Sequence, residues 1–311
     1  MKYSARLIDL DSVMIDVMMR VESLPGRGSD TLALEHLVAT GGGFNVMSAA
    51  ARHGMKCVYA GQLGTGPFAT IARASLKKER IMAPVVADPD CDLGCCLVLV
   101  DAQGERTFVT SKGAELRLRA YDLDGLDVAS GDYVYVSGYN VLYPEVSATV
   151  TAWLEQLAND VVVAFDPGVR VMDIPTSALR PVLARTDWLL CSAREGMDLS
   201  GEGSLMKAAD ALLAMTGRRG VVVHDGADGC AVATREHRAQ RVAGFPVDVV
   251  DTNGAGDTHN GVFLAEVAHG RDVLKAARWA NAAAAMSVGT LGPATCPKRD
   301  VVSSWISRFE Q

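Results

Sequence analysis

Three features predict an α/β protein with a doubly wound, mostly parallel sheet flanked by helices. Continuous apolar runs such as residues 161–165 have the pattern of parallel strands buried on both faces. Such runs alternate with helix-length segments, as βαβ units do. No internal repeat or low-complexity linker divides the 311 residues, so one domain is expected over 1–311.

The elements follow in order. Residues 5–21 alternate apolar and polar imperfectly and read as an opening strand running into a second. Pro25-Gly26-Arg27-Gly28 is a turn. Residues 31–40 read as a strand, although their Leu and Ala content also permits a helix. Residues 46–53 form a helix that Gly54 stops. Residues 57–64 and 68–78 make a βα unit, and 91–110 two strands around the turn 101–104. Strands are expected at 133–137, 161–165, 188–191 and 220–223, with a helix over 146–157. A further short strand at 247–250 leads into a glycine turn and a helical run from Val262. Residues 273–288 are apolar nearly all round and predict a buried helix.

Bulk properties narrow the function. A content of 49% hydrophobic and 22% charged residues fits a soluble globular enzyme. The net charge of −7 disfavours a nucleic-acid partner, and no apolar run is long enough to span a membrane. Asp9, Asp11 and Asp16 break any signal-peptide core, and seven cysteines without framework spacing suggest reduced thiols and a cytoplasmic location. Cys91, Cys95 and Cys96 lack metal-ligand spacing and read as structural.

The chemistry concentrates in Asp251-Thr-Asn-Gly-Ala-Gly-Asp257. Gly254, Ala255 and Gly256 let a phosphate approach the backbone, and the first helical N–H groups point at it. Asp257 follows at the positive helix end, where a carboxylate can take the proton of an attacking hydroxyl; the plain alternative is a helix cap. A second glycine cluster, Gly41-Gly42-Gly43, precedes Asn45 and a small-residue helix, and again lets a ligand touch the backbone, at Gly42 and Gly43. Neither cluster is a dinucleotide fingerprint or a Walker loop.

The 251–257 segment resembles the D-T-x-G-A-G-D signature of the ribokinase-like (PfkB) carbohydrate kinases, and weaker motifs follow that family's order along almost the whole chain. The resemblance implies a ribokinase-like fold with a small β lid formed by excursions near 13–38 and 91–111, and a homodimer paired through the lid. It implies ATP and Mg²⁺, and in many relatives a monovalent cation such as K⁺. Asp16, nine residues before Pro25, would bind sugar hydroxyls, as would Asn45 beside Gly42 and Gly43; Asn45 also suits a helix cap. Met14 stands where ribokinases proper carry an asparagine, which puts ribose in doubt. Tyr139, at a strand's carboxyl end, lines the pocket or packs. Arg170, in Asp166-Pro-Gly-Val-Arg170, meets a substrate anion or a structural carboxylate. Arg106 faces substrate or, the better expectation, solvates a strand edge.

Ser192-Ala-Arg-Glu195 resembles the family's N-x-x-E, implying that Glu195 organises magnesium, with Ser192 in place of the asparagine. A glutamate favoured by the helix dipole is the alternative. Asp251 and Asn253 are further candidates for the metal. Gly226, Asp228 and Gly229 match the turn along the nucleotide phosphates, though Asp228-Gly229 is also an ordinary hairpin turn. Asn281 is placed near adenine, with residues 289–297 beside it. The function expected is an ATP-dependent kinase for a small sugar, with Asp257 as general base. The alternatives are a nucleoside kinase of the same family or a non-catalytic ligand-binding protein on the same fold.

Overall fold

The computed structural model describes residues 5–309, so the ends of the domain expected over 1–311 lie outside the described residues. Its strands are β1 (Arg6–Asp9), β2 (Val13–Arg20), β3 (Glu35–Gly42), β4 (Lys56–Tyr59), β5 (Cys95–Val100), β6 (Arg106–Ser111), β7 (Tyr133–Ser137), β8 (Val162–Asp166), β9 (Trp188–Ser192), β10 (Gly220–His224), β11 (Gly229–Thr234) and β12 (His237–Ala243). Eight form one sheet in the order β12-β11-β10-β9-β8-β7-β1-β4, and four form a smaller sheet, β3-β2-β5-β6. In the large sheet β4, β1 and β7 to β10 run parallel, and β11 and β12 add an antiparallel edge.

The parallel strands are buried on both faces because helices cover both. Leu7, Tyr135, Val162, Leu190 and Val222 pack with Met47, Phe263 and Ala280 from the helices Gly43–Arg52, Ala255–Ala268 and Val273–Ser287. Ile8, Val134, Val163, Leu189 and Val223 pack on the other face with Val150, Val182 and Leu212 from Pro144–Gln156, Thr176–Arg185 and Leu205–Thr216. The chain leaves β1 for β4 on one side and returns to β7 on the other. Such a reversal opens a crevice at the strands' carboxyl ends, where open α/β sheets bind ligands.

Three local expectations are corrected. Residues 247–250 are not a strand. Val249 and Val250 are mostly exposed, and the N–H groups of Val250 and Asp251 donate to the Val288 carbonyl (2.8 and 3.0 Å). That link is thus fastened to the end of a helix, not to a sheet. The helix Val273–Ser287 buries one side, with Ala276, Ala277, Ala280 and Ala283, while Lys275 is exposed. Beyond β10, the hairpin of β11 and β12 extends the sheet where no strands were expected. All seven cysteines are free, and among the described residues no helix is long and apolar enough to cross a membrane.

Candidate active site

The helix Ala255–Ala268 opens onto the crevice. Gly254 caps it in the left-handed region, at φ 72°. One turn beyond Asp257, Gly261 allows close contact with the helix Gly43–Arg52: a Cβ there would lie 2.3 Å from the Val46 carbonyl oxygen. That approach brings Asn45 to Asp257, and its Nδ2 donates to Asp257 Oδ2 at 2.9 Å. The Asn45 Oδ1 is buried with no partner among the described residues. Asn45 therefore orients the carboxylate, which a mere helix cap would not do.

Asp257 lines a cavity of about 260 Å³ together with Gly254, Ala255, Gly256, Asp11, Tyr139, Asp166, Ser192, Glu195 and His224. Among the described residues no Lys or Arg lines it. The carboxyls respond to burial and to one another. Burial and the Glu195 charge raise Asp257, opposed by the Asn45 hydrogen bond. Burial pushes Asp11 up to about 7 despite a hydrogen bond from Ser137, and Asp257 adds to the rise. Burial, then Glu195 and Asp257, hold Asp166 well above the usual carboxylate range. A raised pKa brings a carboxylate closer to the operating pH of a general base. The N–H of Ala255 is spent on the Thr252 carbonyl (3.3 Å), whereas those of Gly254 and Gly256 have no acceptor among the described residues. Of the three amides expected to meet an anion, two are thus unengaged.

The small sheet supplies Asp16. A Cβ at Gly41 would lie 2.4 Å from Asp16 Oδ2, and one at Gly42 2.0 Å from the Ser12 carbonyl oxygen. The glycine cluster therefore makes room for Asp16 and for the β1–β2 link; Gly43 packs against Asp11 in the same way. Asp16 is buried and raised to about 6 by that burial, opposed by a hydrogen bond with the Asn253 side chain.

Other candidates lie elsewhere. Asp251 is not a free metal ligand: its carboxylate is buried, pairs with Arg106, and accepts the N–H groups of Asn253 and Gly292, both at 2.9 Å. Asn253 faces Asp16 instead of a metal site. Arg106 accordingly does not solvate a strand edge. Asn281 uses both amide hydrogens on the Val242 and Ala243 carbonyls and bonds His259 Nε2 through Oδ1 (3.0 Å), so it braces the fold and offers adenine no N–H. Arg170 pairs with Asp173 at 2.8 Å, the structural alternative. Gly226, Asp228 and Gly229 form the turn after β10 but do not line the cavity. Glu195 lines it, and Ser192 and Glu195 also form a reciprocal helix cap; Tyr139 lines it, stacked on Tyr143.

Three site residues escaped the sequence reading: Asp11, His224 and Asn260. Asn260 donates to Asp166 Oδ2 (2.7 Å) and to Tyr135 Oη (3.1 Å). His224 Nε2 has no partner, and burial lowers its imidazole to about 4, so it is neutral near pH 7. Position offered a signal, since Asp11 and His224 sit at the carboxyl ends of parallel strands and Asn260 lies three residues beyond Asp257.

Residues 5–300 match the pfkB family carbohydrate kinases. The chain belongs to that family. It is a carbohydrate kinase, and so a phosphotransferase. It is 33% identical to the uncharacterised sugar kinase YegV of Escherichia coli (strain K12), over 93% of this chain and 90% of that protein. It is 27% identical to the ATP-dependent ribose-1-phosphate kinase of Halopiger xanaduensis, over 98% and 99%. A putative ribokinase II from E. coli, solved with ATP and Mg²⁺, shares the ribokinase-like fold at a TM-score of 0.86 and 24% identity, covering 98% of this kinase and 99% of that chain.

Proposed function

We propose that this kinase moves the γ-phosphoryl group of ATP to a hydroxyl of a small sugar, with Asp257 as the general base. The observation that carries this is the Asp257 carboxylate, raised in pKa, oriented by Asn45, and set at a helix N-terminus in the cavity. Asp257 takes the acceptor's proton as its oxygen attacks. The free amides of Gly254 and Gly256 meet charge on the transferring group. Asp16 and the unpartnered Asn45 Oδ1 accept from sugar hydroxyls, with Tyr139 closing the pocket. Ser192 and the turn Gly226–Asp228 border the nucleotide phosphates.

A cavity rimmed by Asp11, Asp166, Glu195 and Asp257, with no Lys or Arg among the described residues, suits a hard cation with oxygen donors. Among the described residues, no three carboxylate, His or Cys side chains are placed to chelate directly. Mg²⁺ would then be held through phosphates and waters by Glu195 and Asp166, neutralising phosphate charge when bound. A K⁺ requirement in residues 289–297 is tested by comparing rates in K⁺ and in tetramethylammonium. The edge strands β3 and β6 expose Val38, Phe108 and Val109, which favours a homodimer through the small sheet, checked by sedimentation. Seven free thiols favour the cytoplasm.

The face of the small sheet that bears Asp16 also carries Met14, Met18, Leu37, Cys96 and Val98. Such a surface gives few partners to hydroxyls and favours an acceptor with a deoxygenated or aromatic edge, which keeps a nucleoside in view. Ribose should be a poor substrate, by roughly one to two orders of magnitude in kcat/KM. The test is ATP consumption with a panel of pentoses, hexoses, deoxysugars and nucleosides. Ribose as the best acceptor would contradict the role given to Met14, and no acceptor-dependent turnover across the panel would contradict transfer to these classes.

A further inference from the structure

Arg106 and Asp251 are 145 positions apart, yet the Arg106 guanidinium lies against the Asp251 carboxylate and donates to Thr252 Oγ1 at 3.3 Å. Arg106 opens β6 in the small sheet, and Asp251 opens the turn that launches the Asp257 helix. The Asp251 side chain is 2% exposed. One of its oxygens also takes the Asn253 N–H and the other takes the Gly292 N–H. A single carboxylate thus ties the Thr252–Gly254 turn to the loop after the helix Val273–Ser287. Among the described residues its one ion-pair partner, Arg106, arrives from the small sheet. The Arg20–Glu35 pair within the small sheet is long, at 3.8 Å, and exposed on both sides. Exposed pairs of that kind contribute little, whereas a buried carboxylate that loses its only cation is strongly disfavoured.

We propose that Arg106 is a positioning residue that couples seating of the small sheet to the geometry of the Gly254–Asp257 turn. With the sheet seated, Arg106 neutralises Asp251 and fixes Thr252, and the turn presents its amides and Asp257 to the cavity. With the sheet lifted, Asp251 keeps two amide donors but no cation, and the turn loses one of its anchors. The coupling has a chemical use, because a seated sheet excludes water that would otherwise accept the phosphoryl group.

The inference rests on the proposed transfer, so the experiment separates the two. Wild type, Arg106→Gln and Arg106→Lys are compared with ATP, Mg²⁺ and the best acceptor of the panel above, and also with ATP and Mg²⁺ alone. If wild type shows no acceptor-dependent turnover, the transfer itself fails. If it does, Arg106→Gln should lower kcat for transfer about tenfold or more and raise the share of ATP lost to hydrolysis, with Arg106→Lys intermediate. Hydrogen exchange of the ligand-free proteins should show faster exchange in residues 251–257 of both variants, a readout that holds even for a variant too unstable to assay kinetically. In an Asp251→Asn background, Arg106→Gln should cost far less than it does alone. Wild-type kcat, hydrolysis share and exchange in Arg106→Gln would overturn the proposal.

Discussion

Two buried acidic regions lie at opposite ends of the helix Ala255–Ala268, and they are treated oppositely. Near its C-terminal end Glu266 is fully buried but bonded to His53 (3.1 Å), Arg271 (2.8 Å) and Arg299 (2.7 Å). Burial alone would raise its pKa; the His53, Arg299 and Arg271 hydrogen bonds outweigh that and hold the carboxyl well below the usual range. At the N-terminal end Asp11, Asp166 and Asp257 are raised, and among the described residues no Lys or Arg lines their cavity, while His224 there is held neutral. A carboxylate that serves the fold is neutralised by the fold. Carboxylates left short of cations either hold a proton or carry an unfavourable charge that a cationic ligand relieves, which is how a structural ion pair and a functional site can be told apart.

The contrast can be broken at either end, and the largest effect is expected at Asp257. Asp257→Asn keeps the shape and loses the base, so kcat should fall by ~10²–10⁴ with the fold retained. Steady-state kinetics on the purified variant, with circular dichroism as the check on folding, decides this, and near-wild-type turnover would sink the mechanism.

Asp11→Asn should next stabilise the ligand-free protein at high pH. A carboxyl raised to about 7 in the fold, from about 3.9 unfolded, binds its proton more tightly when folded. Its contribution is complete below about pH 4 and is lost as the pH climbs through about 7. Asparagine stays neutral throughout, so the variant should exceed wild type by a few kcal/mol above pH 7, at roughly 1.4 kcal/mol per unit of pKa. Urea titrations at pH 5 and 8 measure it; equal stabilities at pH 8 would mean that Asp11 is not held against its charge.

Glu266→Gln should show the reverse sign and a smaller size. A depressed carboxyl contributes stability above its unfolded pKa and loses it as the pH falls through the folded value. Because Arg271 and Arg299 are partly solvated, screening holds the loss near pH 7 to about 1–3 kcal/mol. Melting temperature at pH 7 and pH 4 gives the difference, which should shrink toward the acid end. A loss that grows with acid would contradict the pairing.

Much of this was legible in sequence because it depends on local pattern. The runs at 133–137, 161–165, 188–191 and 220–223 needed only apolar continuity to be recognised as β7, β8, β9 and β10, and the spacing from Gly254 to Asp257 announced the helix start. What was missed depends on contact over distance. Asp251 resembled a ligand because its sequence neighbours do; nothing local says that Arg106 reaches it. Asn281 sits on the right helix, but its amide is consumed by β12 carbonyls and His259. The stretch 247–250 has strand-forming residues, but the Val250 amide bonds the end of a helix and not a sheet. Gly41 and Gly42 were singled out for a ligand's approach, while nothing local announced that the space they leave also admits Asp16 and the Ser12 carbonyl.

The claim that the cavity's carboxylates await a cationic ligand is tested most directly by calorimetry of ADP binding in excess Mg²⁺. The titration is run near pH 7 in buffers of different ionisation enthalpy. Arrival of the bound cation should lower the raised pKa values of Asp11 and Asp166, so binding should release protons, and less so in Asp11→Asn. Proton uptake, or a binding enthalpy independent of buffer, would contradict the account.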